Sequence, residues 1–417
     1  MSATLKNLWI LTRDFPPKSN VAAKRFAGLA PHLESWGWRP WILALRHSSH
    51  RHGIVPGRLP VPIPENQVVT FSQDDIDPRP EPIRRLEHLV RYLAGALGHT
   101  RHWCAYSSLH SIDDFGRCHA PGLLALCRRL GFPRPDVVLS SVPPGGAILL
   151  GARLSSALGC RWVVDFRDLQ ALRDDRHPLL CFIDRLWERF LLRKVDGLIG
   201  VSPTSTRLLS SAYPKPAATV FNGFETPLET KPSGGSRGEY LYYAGTLYHH
   251  QMNALELLIR SIAEVRDLGL KLTMLFRILP GPRELERRLR ETIADHNLQE
   301  QSVLGEPVPP SRCQSEAKAA SANIILEDLS TRTAYSRGTI PGKMMELINY
   351  TPPVLAIARP DSDMAVVLSE SGSGRLASTQ KELTGLLTEV PRQEKNLQPY
   401  CREEQGRKLA EFLDRLP

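Results

Sequence analysis

The chain has 417 residues, 42% of them hydrophobic and 23% charged, a globular composition that excludes a disordered or fibrous protein and allows two domains with sizeable cores. A net charge of +9 favours an anionic partner, whether a sugar nucleotide, a phospholipid surface or a nucleic acid. Seven scattered cysteines without Cys-x-x-Cys spacing suggest reduced thiols in a cytoplasmic protein; the start lacks a signal-peptide core, and no apolar run reaches the ~18 residues of a spanning helix.

In chain order, residues 8–11 (Leu-Trp-Ile-Leu) predict a short strand, followed by a polar loop over 12–20, a helix over about 21–35 and a strand over 41–45. In a doubly wound sheet the loop after the first strand lies at the carboxyl edge, where ligands bind. Arg13, Asp14, Lys18, Ser19 and Asn20 are therefore candidate site residues, each equally satisfied as a solvated loop side chain. Residues 46–80 and 101–119 resemble insertions beside a basic amphipathic helix at about 83–97. His47, His50 and His52 lie in the first without an acidic ligand, which suits a solvated loop better than a metal site.

A strand over 136–140 runs into Ser141-Val142-Pro143-Pro144-Gly145-Gly146, and a helix over 147–158 leads to a buried strand over 162–164 that ends in Asp165-Phe166-Arg167-Asp168. Two strand-end loops thus converge on one edge. Asp165 and Asp168 suit a base or a carboxylate that orients a hydroxyl, with a helix cap or a pair with Arg167 as the structural alternative. Apolar residues recur at helical spacing over 179–194, interleaved with Arg185, Arg189, Arg193 and Lys194. Packing on a sheet is the common cause of such a stripe, and a membrane surface is the other.

Residues 229–238, Glu-Thr-Lys-Pro-Ser-Gly-Gly-Ser-Arg-Gly, predict a linker, after which strands at 240–244, 272–276, 302–304 and 323–326 alternate with helices. The stretch 338–357, Gly-Thr-Ile-Pro-Gly-Lys-Met-Met-Glu-Leu-Ile-Asn-Tyr-Thr-Pro-Pro-Val-Leu-Ala-Ile, predicts a loop, a helix over 343–350 with Pro341 at its first position, and a buried strand over 354–357. Free N–H groups at such a helix start, with Lys343 beside them, suit a diphosphate, and Glu346 one turn in suits ribose hydroxyls. An ordinary cap is the competing explanation. Asp361 and Asp363 are expected as an N-cap and a first-turn acid rather than a metal pair. A final helix covers about 400–416.

The ordered motifs Thr-Arg-Asp-Phe-Pro-Pro (12–17), Ser-Ser-Val-Pro-Pro (140–144), Val-Asp-Phe-Arg-Asp (164–168), Gly-Val-Ser-Pro (200–203), Phe-Asn-Gly-Phe (221–224), Tyr-Ala-Gly-Thr-Leu-Tyr (243–248) and Pro-Gly-Lys-Met-Met-Glu (341–346) resemble the retaining glycosyltransferases of family 4. The resemblance implies an α/β GT-B fold, with two Rossmann-like β/α/β domains facing each other across a cleft and a C-terminal helix packing back. Its expected divisions are an acceptor domain over 1–225, a linker over 226–238, a nucleotide-sugar domain over 239–398 and a crossover helix over 399–417. It further implies a nucleotide-diphosphate sugar donor, with a UDP-sugar expected, held by Gly245, Thr246, Arg337, Pro341, Gly342, Lys343 and Glu346. A glycan, lipid-linked or small-molecule acceptor would lie against Arg13, Lys18, Ser19, Asn20, Pro143 and Pro144, with Asp165, Asp168 and Lys343 as the catalytic set. No metal or other cofactor is implied. The implied setting is bacterial surface-polysaccharide or secondary-metabolite assembly in the cytoplasm. Peripheral contact with the inner face of a membrane, through the basic helices at 83–97 and 179–194, stays open. Nucleic acid is not an expected partner, because the basic residues form no recognisable module.

The chain also departs from the family. Glu346 matches the second of the family's two glutamates, but the first falls on Gly338; the phosphate-binding Arg and Lys fall on Thr246 and Gln251; and the Gly-Gly after the first strand is missing around 19–22. The diphosphate charge is thereby left to Lys343, the helix start at Pro341-Gly342 and Arg337. Two alternatives follow: a sugar-nucleotide-binding subunit that has lost catalysis, and a sugar-nucleotide epimerase of the same fold, for which the sequence displays no acid–base pair.

Overall fold

A computed structural model describes residues 4–18, 20–46, 63–76, 115, 118–173, 178–225, 240–330, 333–389 and 394–417. The chain divides into two compact units, Met1–Asn222 with Arg402–Pro417, and Gly223–Cys401.

The first unit is a seven-stranded sheet in the order β3-β2-β1-β4-β5-β6-β7. Its strands are β1 Lys6–Thr12, β2 Trp38–Leu45, β3 Val68–Phe71, β4 Val137–Val142, β5 Arg161–Phe166, β6 Gly197–Gly200 and β7 Ala217–Thr219. All neighbours pair in parallel, with Ile10 opposite Ile42 on one side and Leu139 on the other. The helices are α1 Val21–Leu29, α2 Gln73–Ile76, α3 Ala120–Arg129, α4 Gly146–Leu158, α5 Pro178–Leu191 and α6 Pro203–Ala212. Parallel strands covered on both faces need apolar residues at nearly every position, and β4 is buried throughout.

The second unit repeats the plan with six parallel strands in the order β10-β9-β8-β11-β12-β13. They are β8 Tyr240–Gly245, β9 Thr273–Ile278, β10 Ser302–Gly305, β11 Ala322–Leu326, β12 Val354–Ile357 and β13 Gly374–Ala377. Its helices are α7 Met252–Asp267, α8 Arg283–Asp295, α9 Pro310–Ala319, α10 Ala334–Arg337, α11 Gly342–Leu347, α12 Asp363–Ser371 and α13 Gln380–Thr388. Leu241, Leu255, Ile259, Phe276, Ile324 and Leu355 centre its core.

The chain then returns to the first unit as α14, Arg402–Asp414. Leu409 and Leu413 join Leu8, Ile10, Phe26 and Leu139 in that unit's core. The buried Gln405 accepts from the Phe221 amide at 2.8 Å, and Asp414 accepts from the Trp38 indole at 3.0 Å.

Several elements differ from their predicted bounds. The helix expected over 21–35 ends at Leu29 and continues as two 3-10 turns until Gly37, whose φ of 86° turns the chain into β2. β3 lies inside a stretch expected to be an insertion; four residues, Val-Val-Thr-Phe, are too few to show a period. α11 is shorter than the predicted 343–350, and Pro341 is its N-cap rather than its first residue. The predicted linker, the basic helix at 83–97 and His47, His50 and His52 lie outside the described residues.

Candidate functional site

In each sheet the strand order reverses next to the first strand, between β1 and β4 and between β8 and β11. At such a switch point adjacent strands send their connections to opposite faces, leaving a crevice at the carboxyl edge.

At this edge of the first unit, Asp14 and Lys18 pair at 2.6 Å. Burial alone would push the Asp14 carboxyl up, but the Lys18 hydrogen bond and the charges of Lys18, Arg13 and Arg167 hold it below the usual range. Arg167 donates to the Pro143 carbonyl. Burial pulls its pKa down, opposed by Asp165, Asp14 and Asp168, and its buried Nε has no hydrogen-bond partner. Arg13 is exposed, Lys18, Pro143 and Asp168 are half-buried, and Pro144 is buried. Asn20 instead caps α1, its side chain accepting from the Ala23 amide at 2.8 Å; Ser19 lies outside the described residues.

Asp165 requires a correction. Its side chain is wholly buried, and both carboxylate oxygens are engaged by Arg25, with Nη2 at 2.5 Å and Nε at 3.0 Å; Ser141 donates to the carboxylate at 3.0 Å. Arg25 also binds the Asn222 side chain and the Val220 carbonyl. Such a carboxylate ties α1, β4 and β5 to the segment after β7 and cannot meet an acceptor hydroxyl without breaking the pair.

The switch point of the second unit gathers Gly245, Thr246, Glu327 and Lys343. Lys343, on α11, reaches across to β8, where its Nζ donates to the Ala244 carbonyl at 3.3 Å and lies 4.1 Å from the centre of the Tyr243 ring. An ammonium carries three donors, and this one makes no other hydrogen bond among the described residues. Gly245 has φ of 150°, and a Cβ there would stand 3.3 Å from the lysine nitrogen, so glycine is what lets the loop pass. The Tyr243 hydroxyl donates to the Thr246 carbonyl at 3.1 Å and fixes the turn.

Glu327, immediately after β11, was not singled out in the sequence. Burial pushes its carboxyl up to about 7 against the pull of Lys343. Burial likewise lowers Lys343 to about 8, with Glu327 opposing. His250 Nε2 stands 3.9 Å from the Glu327 carboxylate, and its ring stacks on Tyr248. An acid immediately after the apolar run Ile324-Ile325-Leu326 was the available sequence signal.

The other expected donor residues are partly redistributed. Arg337 pairs at 3.2 Å with Asp361, which Arg359 also binds at 2.7 Å. Asp361 is therefore an ion-pair partner, and Ser362 is the N-cap position of α12. Pro341, Gly342 and Glu346 are half-buried along α11. Among the described residues no group of three or more His, Cys, Asp or Glu is placed to hold a metal. A cavity of about 540 Å³ lined by Thr4, Asn7, Arg39, Trp41 and Pro133 lies at the opposite edge of the first sheet, away from these loops.

No family model matches the chain, and no curated protein matches it. Among solved structures, sucrose-phosphate synthase from Thermosynechococcus elongatus aligns with a TM-score of 0.55 at 11% identity, over 99% of this chain and 94% of that one. Anabaena HepE in complex with UDP-glucose gives 0.55 at 13% identity, over 97% and 94%. The UDP-GlcNAc 2-epimerase from Methanocaldococcus jannaschii gives 0.51 at 12% identity, over 98% and 99%. With its two doubly wound sheets, the chain has the GT-B fold.

Proposed function

We propose that the protein is a glycosyltransferase that moves a sugar, with retention, from a nucleotide-diphosphate donor to a glycan, lipid-linked or small-molecule acceptor, in the manner of family 4. Lys343 carries this reading: an ammonium at the switch point with spare donors, beside a glycine-gated turn, suits the charge that grows on a departing diphosphate. A UDP-sugar is the expected donor, and HepE, of the same fold, was solved with UDP-glucose. Glu346, one turn along α11, would take the ribose hydroxyls. Arg13, Lys18, Pro143 and Asp168 of the first unit would face the acceptor. The chemistry needs positioning and charge stabilisation rather than a metal. Isothermal titration with UDP, and assay of UDP-sugar hydrolysis or transfer against a Glu346→Ala control, test it. Turnover above that control excludes a binding-only subunit, and absence of UDP binding overturns the whole reading.

The Glu327–Lys343 arrangement favours a second reading, an epimerase. A carboxyl raised to about 7 and an ammonium lowered to about 8 at one switch point offer the acid and base that proton exchange on a sugar carbon requires. Deuterium from solvent appearing in recovered UDP-GlcNAc would select this reading; its absence alongside transfer would select the first.

A further inference from the structure

The apolar face of α5 points away from the core, against the expectation that its stripe packs on the sheet. Leu179, Phe182, Ile183, Leu186 and Phe190 fall at i, i+3, i+4, i+7 and i+11, on one helix face, and are between 38% and 59% exposed. The acids of the same helix are turned inward: Asp184 and Glu188 are buried, and Glu188 accepts from the Tyr213 hydroxyl. The exposed charged side chains over 178–194 are Arg185, Arg189, Arg193 and Lys194, all positive. Arg185 and Arg189 are tethered along the flank by the Ala171 and Ala212 carbonyls, and Arg193 covers the Phe190 ring at 4.3 Å.

We propose that α5 is an interfacial helix that seats the first unit on a bilayer containing anionic lipids. Phe182, Leu186 and Phe190 enter the acyl boundary, and the four cations meet headgroups. Charge selects this occupant. An apolar face whose exposed charged neighbours on the same helix, among the described residues, are all cations is complementary to a negative leaflet, whereas a second copy across a two-fold axis would set these cations against their own counterparts. Length fixes the orientation: 14 residues span roughly 21 Å at 1.5 Å each, too short to cross, so the helix lies in the interface plane. The inference stands apart from the proposed activity and involves different side chains.

The full chain is to be co-sedimented with vesicles of phosphatidylcholine alone and with added phosphatidylglycerol, at low and high salt. Wild-type protein is expected on the anionic vesicles, released by salt. Phe182→Gln/Leu186→Gln, which alters exposed side chains only, is expected to bind ~10-fold more weakly or worse at an unchanged melting temperature. Arg193→Glu/Lys194→Glu keeps the apolar face and should lose the preference for anionic lipid. Equal binding by wild type and Phe182→Gln/Leu186→Gln would mean adsorption by net charge and would overturn the proposal. So would no binding at all, or a wild-type dimer in solution that the apolar variant dissolves.

Discussion

Arg25 on α1 and Asp165 at the end of β5 face each other as a bidentate ion pair, with side chains 1% and 0% exposed. Removing one partner leaves an uncompensated buried charge, which typically costs about 3–5 kcal/mol. Asp165→Ala is expected to lower the melting temperature by roughly 10 °C in a thermal scan, while molecules that remain folded keep their activity. A variant with native stability and no turnover would return Asp165 to the catalytic set.

Lys343→Ala removes the contact that strengthens as the leaving diphosphate gains charge, so the loss should fall on turnover, by ~100-fold or about 3 kcal/mol. Arg337→Ala removes a cation already shared through Asp361 at the surface, and its effect should stay within a few-fold. Steady-state kinetics of both variants decide the matter. The reverse order would move the phosphate site to α10.

The pH dependence of UDP binding should follow Lys343. Its pKa in the unliganded protein is lowered to about 8 by burial, against the pull of Glu327, so a bound diphosphate, which favours the ammonium, must take up a proton as pH approaches and passes 8. Affinity is expected to fall as pH rises through this region. Glu327, ionising near 7, adds repulsion in the same direction. Calorimetry in two buffers of different ionisation enthalpy reads the proton uptake, and Lys343→Ala should remove the part of it centred near pH 8.

Gly245→Ala should weaken stability and donor binding together. The φ of 150° is strained for any L side chain, by ~1–3 kcal/mol, and the added methyl meets the lysine nitrogen at 3.3 Å. Thermal shift with and without UDP separates the two effects, since ligand stabilisation scales with RT ln(1 + [L]/Kd).

Much of the architecture was legible because parallel strands covered on both faces must be short apolar runs, as at 8–11, 324–326 and 354–357. β13 was missed because Gly-Arg-Leu-Ala carries no such run. Lys343 stood out through its local setting, but its neighbours Glu327 and Tyr243 are distant in sequence and meet it only through the strand order. Asp165 had an adjacent arginine, Arg167, yet its partner is Arg25, 140 positions away. For α5 the periodicity found the stripe but not its direction. An inward and an outward apolar face have the same spacing, and only the burial of Asp184 and Glu188 decides between them.

The return of α14 to the first unit has a consequence for how the protein is made. Leu409 and Leu413 fill a core otherwise built from strands synthesised hundreds of residues earlier, and Gln405 supplies the acceptor for a buried amide beside β7. While the ribosome is still producing the second unit, the first must wait with an open apolar seam. The second unit, by contrast, has its whole sheet in hand by Ala377, so the later-encoded half can reach its native core first. A nascent chain halted before residue 402 would then carry one finished unit and one unsealed one, and the unsealed one is where a chaperone would bind.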